Sequence, residues 1–495
     1  MSNHFSPFNN HVIKTHDIFD TLIARKCIFP ASIFTQVEKQ SGITGYAAIR
    51  VEAERFYEGK SYSLGDIYRR VEQVLGLEHS KAQELMQLEI ECEIMNAIPV
   101  ADEVNRLDSD SVLISDMYLP LEIVRDILRA TGIPQDVPVV LSTQGKRSGQ
   151  VWKQLRSLSL GCIHHGDNEY SDIKQPRLHG MRAYRNVTAS ITSVEKSIIN
   201  AGMPATAMLL RTARLQSKSG KLPYWNLNLQ CQVNFPVLVA FGILIVEYCR
   251  RNDVKRILFS SRDARNLLAL TRCILQKLEI NEIQTHYWFS SRLARNSGDE
   301  NYIEYCRETF GAKFLVVDLC GTGISLAKLA SFLNHDQTPR YMVCLHLDSL
   351  DISNQARKLH GAIQDWANIE YLMKVSTSIN NQILEFLNLI SEGMTVGVAK
   401  IQDTWIPIRH RAEYDGATLE LVKAQQAYLK DLFNHIDADL LAEAYKEVIT
   451  FGTAQIIHAL NENRAELDLH LNYLQREFHD NQTGTDESDV HLFRS

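Results

Sequence analysis

No two of the nine cysteines in this sequence stand in a C-x-x-C spacing, and most sit among apolar neighbours. That argues against a zinc site or a disulfide framework, and for small core residues in a reduced, cytosolic compartment. A basic excess is missing too. With 52 Lys and Arg against 59 Asp and Glu, the formal charge is −7, and the chain lacks the positive footprint of a nucleic-acid binder. A nucleic-acid partner is therefore not expected. The first residues, MSNHFSPFNNHV, lack the basic stretch and following apolar run of a secretory signal. The longest apolar run, Pro236 to Val246, is well short of the roughly 18–20 residues a membrane span needs. It reads as a buried helix, and no membrane partner is expected.

What is present is an ordinary globular composition spread over 495 residues, more than one core can serve. Strand character appears at residues 12–19 and returns at Ser111–Ser115, Val137–Leu141 and Cys162–His164. Between the first two lies a block from about 31 to 107 with apolar residues at three- and four-residue spacing, which predicts helices. A helical insert after a first strand, then alternating strands and helices, predicts an α/β sheet with a helical cap. Periodicity weakens near 193–225, which reads as a junction. A second alternation follows, with strands at Arg256–Phe259, His286–Phe289, Lys313–Val317 and Tyr341–His346 and a mainly helical pattern from about Gln355. The expected plan is an α/β domain over 1–195, a linker over 196–225, a second α/β domain over 226–400, a helical region over 401–478 and a flexible tail over 479–495.

Chemistry gathers at the strand ends. Asp17-Ile-Phe-Asp20-Thr-Leu follows the first strand, Ser115 and Asp116 end the next, Lys146 lies in the loop STQGKRSG, and Gly166-Asp167-Asn-Glu-Tyr-Ser-Asp172 follows another. Carboxyl ends of parallel strands are where such sheets bind ligands. A carboxylate attacks phosphorus only if a dication offsets the repulsion between two anions. Asp17 fits the nucleophile. Asp17, the Phe19 carbonyl, Asp167 and waters fit the oxygen set that Mg²⁺ prefers, with Asp172 ligating or orienting. Ser115 and Lys146 fit the role of holding the phosphoryl oxygens. The same residues also have structural uses. Asp20 and Thr21 suit a turn, and Ser115 suits the cap of a helix beginning near Pro120.

The ordered motifs resemble the haloacid dehalogenase (HAD) superfamily, and within it a group of predicted hydrolases with the pattern FD-x-FDTL, SDMYLP, K-x-x-G and GDN-x-x-SD. The resemblance covers roughly residues 11–190 and implies a Rossmann-like domain with a helical cap and Mg²⁺-dependent phosphatase chemistry. One position departs from the pattern. Phosphatases of this superfamily usually carry a second Asp, the general acid/base, two residues after the nucleophile, and here that position is Phe19. Losing such a group costs about 10²–10⁴ in rate. His16, Asp20 and Tyr118 are the candidate substitutes, and Asp20 is favoured, although its side chain points to the other face if the strand continues.

Further along, Ser260-Ser-Arg-Asp-Ala-Arg265 recurs thirty residues later as Ser290-Ser-Arg-Leu-Ala-Arg295, each after a short apolar strand. Both loops open at one sheet edge, so Ser261, Arg262, Arg265 and Arg292 are expected to bind an anion such as phosphate. The loop Asp318-Leu-Cys-Gly-Thr-Gly-Ile-Ser325 resembles the diphosphate-ribose binding loop of phosphoribosyltransferases. That resemblance implies phosphate contacts from Gly321, Thr322, Gly323 and Ser325 and a hydroxyl contact from Asp318. Those enzymes normally have two adjacent acids, and here the first of the two positions is Val317. Glu385 reads as a solvated helical residue, with a partly buried acid facing this site as the alternative.

The combined expectation is a Mg²⁺-dependent HAD-type phosphohydrolase acting on a phosphorylated sugar or nucleotide, joined to a phosphoribosyltransferase-like α/β domain and C-terminal helices. The alternative is a nucleotide-sensing or regulatory protein with two degenerate phosphate sites, since Phe19 and Val317 each replace an expected acid. The helices of 401–478 are the part expected to meet a protein partner or a second copy of the chain, as in an assembly scaffold.

Overall fold

The computed structural model describes residues 12–157, 161–333, 340–347, 368–375, 381–411 and 414–472. The chain divides into two units, Met1–Ile191 with Leu215–Lys218, and Thr192–Arg214 with Ser219–Ser495. The proposed tail, 479–495, lies outside the described residues.

The first unit contains Val12–His16 (β1), Ile23–Arg25 (β2), Ala97–Pro99 (β3), Ser111–Asp116 (β4), Val139–Ser142 (β5), Gly161–Gly166 (β6) and Arg182–Arg185 (β7). Five of these form one parallel sheet in the order β5-β4-β1-β6-β7. Successive strands leave β1 first towards β4 and then, on its other side, towards β6. The carboxyl ends of β1 and β6 therefore flank the crevice where the strand order reverses.

The helical block predicted from spacing is present as Ala31–Ser41, Tyr46–Arg55, Leu64–Leu75 and His79–Asn96. It leaves and rejoins the sheet through β2 and β3, which pair antiparallel with Ile23 opposite Pro99 and Arg25 opposite Ala97. Apolar faces of the four helices share a core with Ile18, Leu22 and Leu113. Two buried ion pairs brace the block. Arg25 donates to Glu93 at 2.8 and 3.1 Å, and Arg50 donates to Glu89 twice at 2.7 Å.

The second unit contains Arg256–Ser260 (β8), Gln284–Trp288 (β9), Phe314–Cys320 (β10), Arg340–Leu347 (β11), Asn368–Val375 (β12), Thr395–Ile401 (β13) and Thr404–Arg409 (β14). The first five make a parallel sheet ordered β12-β11-β10-β8-β9, with the order reversing between β8 and β10. Both main sheets are parallel α/β sheets, as the strand–helix alternation predicted. Pro236–Val246 lies in the helix Phe235–Arg251, in the core of this unit. The longer segment Tyr224–Arg251 has the length and apolarity of a membrane span, and 89% of its most apolar window is buried inside the protein.

Several expectations are corrected. Residues expected as a linker are largely helical, in Ser193–Asn200 and Pro204–Gln216, and supply Ile198, Leu209 and Leu210 to the second core. The mainly helical pattern expected after Gln355 is broken by β12, β13 and β14. β13 and β14 form an antiparallel hairpin, and exposure alternates along β14 with a period of two. β7 was not foreseen, because an edge strand reading RAYR buries only Ala183.

Candidate functional site

The first site begins where β1 stops. The Asp17 amide still donates to the His165 carbonyl at 2.9 Å, which holds it level with β6. Then the chain turns. The amides of Leu22 and Ile23 both donate to the Ile18 carbonyl, and the Asp20 amide donates to the Ile23 carbonyl at 2.7 Å. Asp20 adopts φ +58°, a left-handed conformation that Asp tolerates better than most residues. Strand alternation therefore ends before Asp20, so the condition under which its side chain would face away is not met. Its carboxylate acts electrostatically on both Asp167 and Arg25. The Phe19 ring lies against the Arg25 guanidinium, 5.1 Å from its centroid, and packs on the cap core.

Lys146 comes from the loop after β5 and is buried. Its ammonium donates to Asp17 Oδ1 at 2.5 Å and lies 2.6 Å from Asp172 Oδ1. Burial alone disfavours the ammonium, but the two carboxylates outweigh it and hold Lys146 above its ordinary pKa. Burial, with Asp172 and Asp167 close by, pushes the Asp17 carboxyl up to about 7 against the opposing pull of Lys146. Asp17 Oδ2 accepts only a longer bond, 3.3 Å, from the Thr21 hydroxyl. Oδ2 is the freer oxygen.

Asp172 is held from several sides. Its Oδ1 meets Lys146 and, at 3.1 Å, His164 Nε2, while Oδ2 accepts the Asn168 amide at 3.1 Å. Burial opposes its charge, yet the His164 bond and Lys146 bring its carboxyl down to about 2. His164 is fixed in turn by Thr15 Oγ1 at 2.9 Å from Nδ1 and by the Trp152 ring at 4.7 Å. With both oxygens engaged, Asp172 orients Lys146 rather than offering a free ligand atom. Asp167 is only partly buried, and burial together with Asp172 and Asp20 pushes it up to about 6.

Two contributors were not singled out in the sequence. Asp116 accepts the amides of Lys146 and Arg147 at 3.0 Å each and the Ser142 hydroxyl at 2.5 Å, so it shapes the lysine loop. Its position directly after Ser115 at a strand end was a usable signal. His164 lies inside a strand, and nothing in the local pattern marks it. Ser115 is buried near the end of β4, one strand over from Asp17, and its hydroxyl has no hydrogen-bond partner among the described residues.

The three carboxylates Asp17, Asp167 and Asp172 present ligand atoms within 4.8 Å of one another. Two of them are pushed up by burial and mutual repulsion, and Lys146 is the one lysine or arginine ion-paired with the cluster among the described residues. A hard, oxygen-only donor set with excess negative charge fits Mg²⁺. Asp17 and Asp167 would ligate and Asp172 would orient. No described amide donates to the Phe19 carbonyl, so it remains available as well.

In the second unit the residues expected to bind phosphate do reach one sheet edge, but several are engaged within the protein. Arg295 is buried and ties together the carboxyl ends of β8 and β10, the loop after β9 and the helix that follows β10. It donates to Ser260 Oγ, to Ser290 Oγ at 2.7 Å, to Asp318 Oδ2 at 2.6 Å and to Ser325 Oγ at 3.2 Å. Arg265 pairs with Glu392, which also takes Arg409 at 2.8 Å. The Ser261 hydroxyl bonds the Ser290 backbone. Arg262 and Arg292 form no ion pair among the described residues. Gly321 and Gly323 have φ +146° and +79°, and at Gly323 a Cβ would come within 2.9 Å of Ile369 Cδ1. Glu385 is half-buried rather than solvated, and burial with Asp263 nearby pushes its carboxyl up to about 8.

No family model matches this sequence, and no curated protein matches it. Among eight matching chains of solved structures is an L-2-haloacid dehalogenase, 16% identical, with a TM-score of 0.28, covering 35% of this chain and 82% of the other. A likeness of that size does not bear on this chain's chemistry.

Proposed function

We propose that the first unit is a Mg²⁺-dependent phosphohydrolase of the HAD type, with Asp17 as nucleophile. The observation that carries this reading is the convergence of Asp17, Asp167, Asp172 and Lys146 at the switch point of a parallel sheet. Bound Mg²⁺ would offset the repulsion between the Asp17 carboxylate and the substrate phosphate. Asp17 Oδ2 attacks phosphorus, and the bond to the leaving oxygen breaks with its electron pair remaining on that oxygen. Lys146 and the Ser115 hydroxyl hold the other phosphoryl oxygens. Water then attacks the aspartyl-phosphate, giving inorganic phosphate and restoring the carboxylate.

Phe19 supplies no proton at the usual place. Asp20, whose carboxylate acts on Asp167, is the acid proposed to take that part. Without it the reaction favours leaving groups that need no protonation, such as those of acyl phosphates and pyrophosphates, on a phosphorylated sugar or nucleotide scaffold. The second unit, as a phosphoribosyltransferase-like domain, would bind a phosphorylated molecule through Arg262, Arg292 and the Gly321–Gly323 loop.

The substitution at Phe19 favours a second reading, a sensor that binds a phosphorylated ligand and turns it over slowly or not at all. A panel of phosphorylated metabolites incubated with the full chain and Mg²⁺, scored for phosphate release and for thermal stabilisation, separates the two. Release lost in Asp17→Asn supports the hydrolase. Stabilisation with no release from any compound supports the sensor.

A further inference from the structure

The helices Arg265–Lys277 and Gly416–Asn434 pack together in the second unit, tied by the Cys273 thiol, which donates to the Phe433 carbonyl at 3.2 Å. Between their shoulders runs a groove of about 420 Å³, within the size range of ligand pockets. Residues three or four apart line each side, Asn266, Ala269 and Cys273 on one helix and Gln426, Lys430 and Phe433 on the other. The groove extends from Asn266 to Lys277, about 16 Å at the rise of a helix, which is the length of roughly five residues of extended chain.

Its charge is one-sided. Arg272, Lys277 and Lys430 line the groove and no carboxylate does, in a chain whose formal charge is −7. Arg272 is fixed by Thr285, donating to its hydroxyl at 2.9 Å and to its carbonyl at 3.1 Å, and neither bond compensates its charge. Lys277 and Lys430 form no ion pair among the described residues. Three cations along one groove repel one another, and an anionic chain laid between them relieves that repulsion.

The neutral lining distinguishes one kind of anionic chain from another. A carboxamide carries the same donor and acceptor as a peptide group, so a row of them matches a peptide backbone. Asn266 is buried and its Nδ2 donates to Asn388 Oδ1 at 3.2 Å, while its own Oδ1 accepts no bond among the described residues. The side chains of Gln276 and Gln426, on opposite walls, form no hydrogen bond among the described residues. A single-stranded nucleic acid is held instead by aromatic faces, and the one ring in this lining, Phe433, is buried.

We propose that this groove docks an extended acidic segment of a partner protein, with its carboxylates on Arg272, Lys277 and Lys430 and its peptide groups on Gln276 and Gln426. The groove shares no residue with either phosphate site, so the proposal does not depend on the hydrolase reading. It also gives the protein partner expected at 401–478 a place, since Gly416–Asn434 lies within that stretch.

The test is fluorescence anisotropy of the full chain in EDTA with a labelled peptide of alternating glutamate and alanine, its glutamine counterpart, and a labelled thymidine oligonucleotide. The glutamate peptide should bind more tightly than the other two, and less tightly as salt rises. Lys277→Gln with Lys430→Gln should weaken it by about threefold to thirtyfold, the worth of two exposed ion pairs. Gln276→Ala with Gln426→Ala should weaken it as well, and an unchanged thermal midpoint shows that each variant is folded. An oligonucleotide that binds as tightly as the glutamate peptide, with the same dependence on the lysines, would overturn the peptide reading. No binding of the glutamate peptide to the unmutated protein, or binding indifferent to both lysines, would overturn the groove as a docking site.

Discussion

A β-carbon on Gly166 would stand 2.6 Å from Cγ of Asp172. Real Cβ atoms do not approach so closely, so the last residue of β6 must lack a side chain for Asp172 to reach Lys146 and His164. Gly166→Ala should displace Asp172, loosen Lys146 and lower phosphate release at least about tenfold, equivalent to about 1.4 kcal/mol in the barrier. Unchanged kinetics in a folded Gly166→Ala protein would remove Asp172 from its orienting role.

The Arg50–Glu89 pair lies wholly inside the cap, with the Tyr68 hydroxyl donating to Glu89 at 2.8 Å. Removing one partner leaves a buried charge unpaired, which typically costs about 3–5 kcal/mol. Glu89→Ala should therefore lower the urea midpoint of the full chain strongly, and Arg50→Met with Glu89→Leu should recover part of the loss. A Glu89→Ala midpoint equal to wild type would mean that the cap does not depend on this pair.

Magnesium binding should weaken as pH falls. Without metal, burial and neighbouring acids raise Asp17 to about 7 and Asp167 to about 6, so below those values protons compete for the ligand oxygens. The affinity should drop about tenfold for each proton that the metal must displace per pH unit. Thermal stabilisation by Mg²⁺ over EDTA should accordingly be larger at pH 8 than at pH 6. A shift independent of pH across that range would place the metal elsewhere.

Much of the first site was legible because its residues stand at strand ends in fixed order: Asp17, Ser115, Lys146, Asp167 and Asp172. What the pattern could not convey was pairing across strands. His164 reads as a strand residue until β1 and β6 align it with Thr15, and Asp172 becomes an orienting residue only through that contact. The second site makes the same point in the opposite direction. Arg295 and Asp318 look like ligand groups in sequence, but folding brings them to 2.6 Å and each satisfies the other. Strands were missed where burial is one-sided or slight, as in β7 and β14, because an edge or a hairpin needs few apolar residues. The turn at Asp20 was hidden for a different reason, since one left-handed residue leaves no periodic trace.

Phe19→Asp should restore the missing acid/base and speed hydrolysis of a phosphomonoester with a poor leaving group, by up to about 10²-fold. The gain should be smaller for acetyl phosphate, whose leaving group needs less protonation. The new carboxylate would lie beside Arg25, whose guanidinium now covers the Phe19 ring, so thermal stability must be followed in parallel. A stable variant with no gain on any monoester would favour the sensor.

The central claim is that Asp17 carries the phosphoryl group, and single-turnover labelling tests it most directly. With no carboxylate at position 19 to activate water, the second half-reaction should be the slower one, so the aspartyl-phosphate should accumulate. Full-length protein mixed with Mg²⁺ and phosphorus-labelled acetyl phosphate, then quenched in acid, should retain label that hydroxylamine releases and that peptide mapping places on Asp17. Asp17→Asn should retain none. Label that persists in Asp17→Asn, or phosphate release from the wild-type protein without any label on Asp17 in the quench, would contradict the account.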